Sequence, residues 1–424
     1  MSRKHIAVIG AGASGLMAAA AAAGEGARVT VLEKNEKAGK KIYITGKGRC
    51  NLTNTCETAD FFDHVVRNPK FLYSAVYGFD ASMVMDFMEE NGCRVKTERG
   101  GRVFPVTDHA SDVTKALLHA LDLPDVRIRY HAPVQEIITK DGRAAGVLMR
   151  SGEFLEADAV ILCTGGLSYP STGSTGDGYR MAGALGIPVR EQAPSLVPLC
   201  VRETWCRGLQ GLALKNVQLT LRAPKAEGKK KSKKDVLYSG FGEMLFTHWG
   251  ISGPLVLTAS CYADFGAADT YLLEIDLKPY MSQEELVERL AREFRGEAER
   301  KKQLKSALRS LLPAGLARET AVLSGLGEDR VVSSVTDKEI TALASLMKAV
   351  PLHAVGTRGF AEAVITKGGL DVRAFDPSTM ECRAIRGLYA AGEVLDVDAH
   401  TGGYNLQIAW STGHLAGLCA AAGQ

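Results

Sequence analysis

The sequence predicts an α/β protein built on a Rossmann-type parallel sheet, and three observations predict it. The apolar run Ile6-Ala7-Val8-Ile9 leads straight into Gly10-Ala11-Gly12-Ala13-Ser14-Gly15. An Ala-rich helical stretch, Leu16 to Ala23, follows the glycines. A second apolar run, Val29-Thr30-Val31-Leu32, then ends in Glu33. In that order, Gly10 permits the tight turn, Gly12 leaves room for a pyrophosphate against the backbone, and Gly15 lets the helix pack on the sheet. The helix N-terminus then faces the phosphates, and Glu33, about twenty residues beyond the glycines, is placed to accept both ribose hydroxyls. A carboxylate there repels a 2′-phosphate, so the bound nucleotide is expected to lack one.

Arg3 and Lys4 ahead of an Ala-rich stretch imitate a secretion signal, but glycines at fingerprint spacing interrupt it and a second strand follows at once. No other stretch approaches the ~20 apolar residues of a membrane helix, so a soluble, cytoplasmic protein is expected. At 424 residues the chain has room for two or three domains. A net charge of +3 gives no general case for nucleic acid or an anionic membrane. The local exception is the run from Lys225 to Lys234, with Lys229, Lys230, Lys231, Lys233 and Lys234, read as a solvated hairpin loop because no aromatics interleave it. Nine scattered cysteines show no C-x-x-C pair and no histidines at ligand spacing, which argues against zinc or a redox dithiol and for reduced thiols.

After Glu33 the chain is rich in Gly, Lys and Asn from Lys34 to Thr55, a composition suited to a loop offering N–H groups and cations. Helical periodicity runs from Phe71 to Glu90 and from Ser111 to Leu121. Strand-like runs Val126–Ile138, Ala144–Met149 and Phe154–Leu162, separated by Asp141-Gly142 and Ser151-Gly152, predict a β-meander. The last of them reaches Thr164-Gly165-Gly166, a second glycine turn expected near the same nucleotide. From Gln192 to Gly356 the pattern changes, indicating an insert: short strands first, then amphipathic helices with a capping box at Ser282 and Glu285. The expected organisation is a cofactor domain at 1–191 and 357–424, a β-rich insert at 192–280 and a helical insert at 281–356. Near the end, an apolar strand runs into Gly392-Glu393, and Gly402-Gly403-Tyr404-Asn405-Leu406-Gln407 opens a helix whose N-terminus suits a carbonyl or phosphate oxygen.

The blocks Gly39 to Asn54, Gly165 to Tyr179, Gly242 to Pro254 and Gly387 to Gly413 resemble those of the bacterial flavoproteins variously called YhiN-like, BaiN-like or aminoacetone oxidase-like, over almost the whole chain. The resemblance implies a Rossmann-type FAD-binding domain of the two-segment flavoprotein kind, interrupted by a β-barrel-like and a helical domain. It places the pyrophosphate at Gly10, Gly12, Ala13, Ser14 and Gly15, and the adenosine ribose at Glu33 beside Lys34. It implies flavin-side contacts from Lys41, Thr45, Gly46, Arg49, Asn51, Leu52 and Thr53, and an adenine contact from the Val134 backbone supported by Thr164 and Gly165. Gly392, Glu393, Asn405, Leu406 and Gln407 would close over the ribityl chain and ring. The sequence departs from the pattern at Asp398-Ala399-His400, which lacks the glycine expected after the acid.

Flavin carries the hydride chemistry, so the sequence must identify the hydride partner. No second glycine fingerprint for a nicotinamide nucleotide is present, and no dithiol. An oxidase of a small amine or aminoketone and an NAD(P)H-dependent reductase of an enone, steroid or bile-acid-type acceptor both remain, with NAD(P)H a candidate co-substrate. His400 and His248 are the candidate proton-transfer residues, since imidazole titrates near neutrality; Tyr169, Arg102 and Tyr404 are weaker ones. A flavoprotein acting on tRNA, favoured only by the lysine run, and a flavin-binding module without turnover are the alternatives.

Overall fold

The computed structural model describes residues 3–224 and 233–422, and most of the lysine run lies outside them. The described chain divides into two compact units, Met1–Ser195 with Gly359–Gln424, and Leu196–Arg358.

The first unit is organised by a five-stranded parallel sheet in the order Leu388–Ala390, Ala159–Leu162, His5–Ile9, Arg28–Leu32, Val126–Arg129. The strand His5–Ile9 is central and buried along its length, which is why it reads as an unbroken apolar run. Two helices pack beside it with almost no side chain between them. A Cβ on Gly413 would lie 2.4 Å from the Ser14 carbonyl oxygen, and one on Gly417 would lie 2.2 Å from that of Ala18. The small residues of Ala13–Gly24 and Tyr404–Ala422 thus let the two backbones touch, tying the last helix to the first.

The expected meander divides between two sheets. Val126–Arg129 and Ala159–Leu162 join the parallel sheet, while Val134–Lys140, Arg143–Met149 and Phe154–Glu156 form a separate antiparallel sheet. His131, at φ 50°, and Pro133 break the first run. Asp158 breaks the last by turning its carboxylate onto the His5 N–H at 2.7 Å. The helix expected over Phe71–Glu90 is likewise interrupted after Gly78, where Asp80 caps a new helix, Ala81–Glu90, by accepting from the Met83 N–H.

The second unit is a closed six-stranded barrel in the order Leu199–Val201, Gly250–Ser252, Val236–Phe246, Ala213–Arg222, Tyr271–Asp276, Val350–Thr357. Its helices share one apolar core with the barrel, so strands and helices form one body in place of a boundary near residue 280. The capping box at Ser282 and Glu285 is formed, and Thr336 with Glu339 makes a second. Among the described residues, no helix is long and apolar enough to cross a membrane.

Candidate cofactor site

The three fingerprint glycines do different work. Gly10 turns at φ +102° against the end of Ala159–Leu162, where a Cβ would sit 2.5 Å from the Cys163 carbonyl oxygen. A Cβ on Gly15 would lie 1.9 Å from the Gly10 oxygen, so Gly15 is required by packing. A Cβ on Gly12 would meet nothing within 4 Å; its backbone faces open space. Gly12 also precedes the helix Ala13–Gly24, which has no side-chain cap and no acid in its first turn, leaving the N–H groups at Ala13 and Ser14 to an outside acceptor.

Glu33 is buried and oriented before any ligand arrives. One oxygen accepts from the Ala11 N–H at 2.9 Å; the other accepts from the Asn35 N–H at 2.8 Å and the Asn35 side-chain amide at 2.7 Å. Lone-pair capacity remains for hydroxyl donors. The Ala132 N–H donates to the Glu33 carbonyl, which brings the segment leading to Val134 alongside. Lys34 is committed elsewhere, to Asp177 at 2.7 Å and Thr175 at 2.6 Å, and so anchors the turn after Gly173.

The loop from Ile42 to Asn54 folds on left-handed residues: Gly46 at φ 56°, Lys47 at 58° and Cys50 at 59°. Thr45 closes it by donating to the Ile42 carbonyl and accepting from the Cys50 N–H through its own carbonyl. Arg49 is held by Glu98 and Asp108 and lies 4.1 Å over the Phe104 ring, so two carboxylates already neutralise its charge. Cys50 is fully buried and its thiol is pushed up to about 12 by desolvation, which makes it inert packing. Asn51 differs from its neighbours: its side-chain oxygen is buried without a partner.

Leu52, Thr53 and Gln407 hold the last helix in place. Trp410 donates to the Leu52 carbonyl at 2.9 Å, and a Cβ on Gly403 would be 2.3 Å from the Thr53 oxygen. Gln407 accepts from the Thr53 hydroxyl at 2.5 Å and donates to Phe79 and Ser411; its N–H bonds Gly403. Its side-chain oxygen, side-chain amide and backbone N–H thus all have partners inside the protein. Asn405 clamps the preceding loop, accepting from the Ala399 N–H and donating to the carbonyls of Ala399 and His400. This clamp shapes the turn that lacks the expected glycine. The first-turn N–H groups of Tyr404, Asn405 and half-buried Leu406 form the helix's positive end, with no acid beside them.

Between the two helix ends, Glu393 accepts from Ser168 at 2.6 Å, the Thr366 N–H at 2.8 Å and Lys41 at 2.7 Å. Gly392, at φ +77°, lies against Ser14, where a Cβ would be 2.5 Å from its hydroxyl. Gly165 adopts φ +70°, and the neighbouring Thr164 hydroxyl is a second buried polar atom without a partner.

His400 is joined by a residue the sequence did not single out. The strand Val65–Arg67 pairs with Asp398–Ala399, and this brings His64 to His400 with their Nδ1 atoms 3.3 Å apart. His64 stacks on Tyr404 at 4.2 Å. One Nδ1 must donate and the other accept, so the pair does not favour two protons. Burial first and then His64 push the His400 imidazole down to about 4, and burial lowers His64 as well. No local spacing signals a contact across 336 residues. Nearby Asp398 is buried and its carboxyl is pushed up to about 6, chiefly by desolvation against the opposing pull of Arg67. His248 belongs to the other unit, exposed in the turn Thr247–Gly250 with its ring 4.0 Å from Trp249. Among the described residues, no group of three or more His, Cys, Asp or Glu side chains is placed to hold a metal ion.

The residues fit FAD. An open backbone face at Gly12, an oriented carboxylate at Glu33 and two partnerless buried atoms on Asn51 and Thr164 are what an elongated dinucleotide would complete. The chain is 33% identical over 415 residues to the ribosomal RNA dihydrouridine synthase of Haemophilus influenzae, covering 97% of each chain. It is 32% identical over 423 residues to the 3-dehydro-bile acid delta(4,6)-reductase of Clostridium scindens, covering 98% of this chain and 99% of the other. Among solved structures, the E. coli quinol fumarate reductase FrdA shares the fold, with a TM-score of 0.50 at 18% identity over 99% of this chain and 70% of that one. Residues 4–419 match the family described as HI0933-like protein Rossmann domain, and the chain belongs to that family of FAD-dependent oxidoreductases.

Proposed function

We propose that this protein is a reductase that saturates a carbon–carbon double bond conjugated to a carbonyl, with uridine in ribosomal RNA as its substrate and NAD(P)H as the electron source. The observation that carries the reading is full-length similarity to two proteins whose names describe one chemistry, addition of two hydrogens across an activated double bond. That shared chemistry favours the reductase over the amine oxidase. Ribosomal RNA as the substrate makes the cytoplasm the site of action.

Reduced FAD, when bound, supplies a hydride from N5. The chain's own residues would do the rest. Gly12, Ala13 and Ser14 bind the pyrophosphate through backbone N–H groups, and Glu33 takes the ribose hydroxyls. Asn51 and the first turn of Tyr404–Ala422 orient the ring, the helix end favouring its electron-rich edge. The other carbon of the double bond needs a proton. The His64–His400 pair beside Tyr404 is the candidate donor: burial lowers both rings, so they rest neutral near pH 7, and the imidazolium that would give the proton forms when one ring takes a proton from solvent.

The test is anaerobic turnover with NADH or NADPH on unmodified ribosomal RNA, reading the two-hydrogen mass gain of uridine. Steroid enones and an amine panel run alongside. Reduction of the enone with no change in RNA would favour a bile-acid-type acceptor, and flavin bleached by amines but by neither nicotinamide would restore the oxidase.

A further inference from the structure

Three neighbouring strands of the barrel, Val236–Phe246, Ala213–Arg222 and Tyr271–Asp276, present an outward face that nothing in the flavin site uses. Their register sets Phe241 beside Gln218 and Asp276 in one row, and Ser239 beside Thr220 and Glu274 in the next. Phe241 is 49% exposed and Tyr280 77% exposed, and their rings meet edge to face at 5.2 Å. Two large rings held against each other in water are costly unless something covers them. Beside them runs an uncharged ladder: Gln218 donates to the Ser239 hydroxyl at 3.0 Å, and the Thr220 hydroxyl lies 3.2 Å from it.

The charges on this face are unequal. Asp276 is neutralised by Lys348 at 2.6 Å and Glu274 by Arg222. Glu243, next along the strand, lies opposite the bulge that carries exposed Lys215. Lys278 is half-buried; burial first and then the neighbouring Arg289 disfavour its charge, and among the described residues no carboxylate pairs with it. Two paired acids, Glu243 with exposed Lys215 across the bulge, a lysine with no carboxylate of its own, hydroxyl and amide groups, and two open aromatic faces suit a flexible polyanion with stackable bases. The first unit supplies a contrast. Phe62, Tyr73 and Tyr77 also cluster at the surface, but exposed Asp60 and Asp63 flank them and would repel such a strand.

We propose that this outer barrel face binds a single-stranded stretch of the substrate RNA, with a base stacked on Phe241 and Tyr280 and the backbone drawn to Lys278. The inference rests on the RNA reading above.

The experiment measures binding of a fluorescein-labelled, unmodified single-stranded ribosomal RNA fragment to the flavin-loaded full chain, together with RNA turnover and NAD(P)H-driven flavin reduction. The Phe241→Ala/Tyr280→Ala variant should bind the RNA roughly tenfold or more weakly, with the loss appearing in KM and not in flavin reduction. Phe241→Leu/Tyr280→Leu keeps the apolar contact, removes the stacking faces and should show the same loss. Lys278→Gln should flatten the dependence of log affinity on log salt by about 0.7, and Tyr77→Ala should change nothing. If both double variants bind and turn over RNA like the parent, the surface is overturned while the proposed function stands. If the parent itself neither binds nor reduces the RNA, the function falls and the surface with it.

Discussion

Two helix N-termini face the cofactor site, and they are built in opposite ways. The first, Ala13–Gly24, is shaped by backbone alone: a left-handed glycine, an open glycine and a packing glycine within six residues. The second, Tyr404–Ala422, is positioned by its own side chains reaching segments far along the chain: Gln407 bonds the Thr53 hydroxyl and the Phe79 carbonyl, and Trp410 the Leu52 carbonyl. The first is a local motif and the second a tertiary assembly. A helix end can therefore serve a ligand either because its own turn is glycine-rich or because distant polar groups have been spent on holding it.

The sharpest way to break this contrast is at the glycines. Gly15→Ala would press a Cβ against the Gly10 carbonyl at 1.9 Å, so stability should fall by about 3 kcal/mol or more, read as thermal midpoint, with flavin lost at the same time. Gly12→Ala meets no protein atom, so the apoprotein should keep its stability within about 0.5 kcal/mol while flavin affinity drops at least about tenfold. If both variants lost stability equally, the division of labour among the glycines would be wrong.

At the second helix, Gln407→Leu leaves the buried Thr53 hydroxyl without its acceptor and removes one of the two donors to the Phe79 carbonyl, the Ser411 hydroxyl remaining. It should cost about 2–4 kcal/mol. Adding Thr53→Val should recover part of that cost, and strict additivity in denaturant titrations would show that the two side chains do not act together.

Acid should separate the groups beside this helix. His400 has its folded value lowered from 6.5 to about 4, so as pH falls the unfolded chain binds the proton first; the associated stability is complete above 6.5 and lost on the way to 4. Asp398 has the opposite sign. Raised from 3.8 to about 6, it gains stability for the folded state as pH falls through that window. His400→Asn should therefore flatten the acid limb of the thermal midpoint, and Asp398→Asn should steepen it. The smallest effect is expected at Asn51→Ala, which removes a buried oxygen with no partner. The apoprotein should be unchanged or gain up to about 1 kcal/mol, while flavin retention weakens.

The readable parts of the site are those whose physics is local. Gly10 to Gly15 and Glu33 were legible because a strand, a turn, a helix and an acid follow one another within one βαβ unit. The capping box at Ser282 was legible for the same reason. The division of the expected meander between two sheets was not, because an apolar run looks alike whether its partner strand is adjacent or lies across the molecule. The His64–His400 contact was hidden by separation, and so were the partners of Gln407, because a glutamine after a double glycine gives no hint that Thr53, Phe79 and Ser411 will bond its polar atoms.

The sequence alone determined the fold class, the glycine turn and the acid that ends the second strand, since backbone conformation and periodicity are encoded within a few residues. Only the tertiary structure decided which polar groups are left over for a ligand. Asn51 and Thr164 remain unpartnered while Arg49, Lys34 and Gln407 are consumed. Whether a buried donor or acceptor is satisfied depends on every group brought within about 3 Å of it, and chain order does not carry that information.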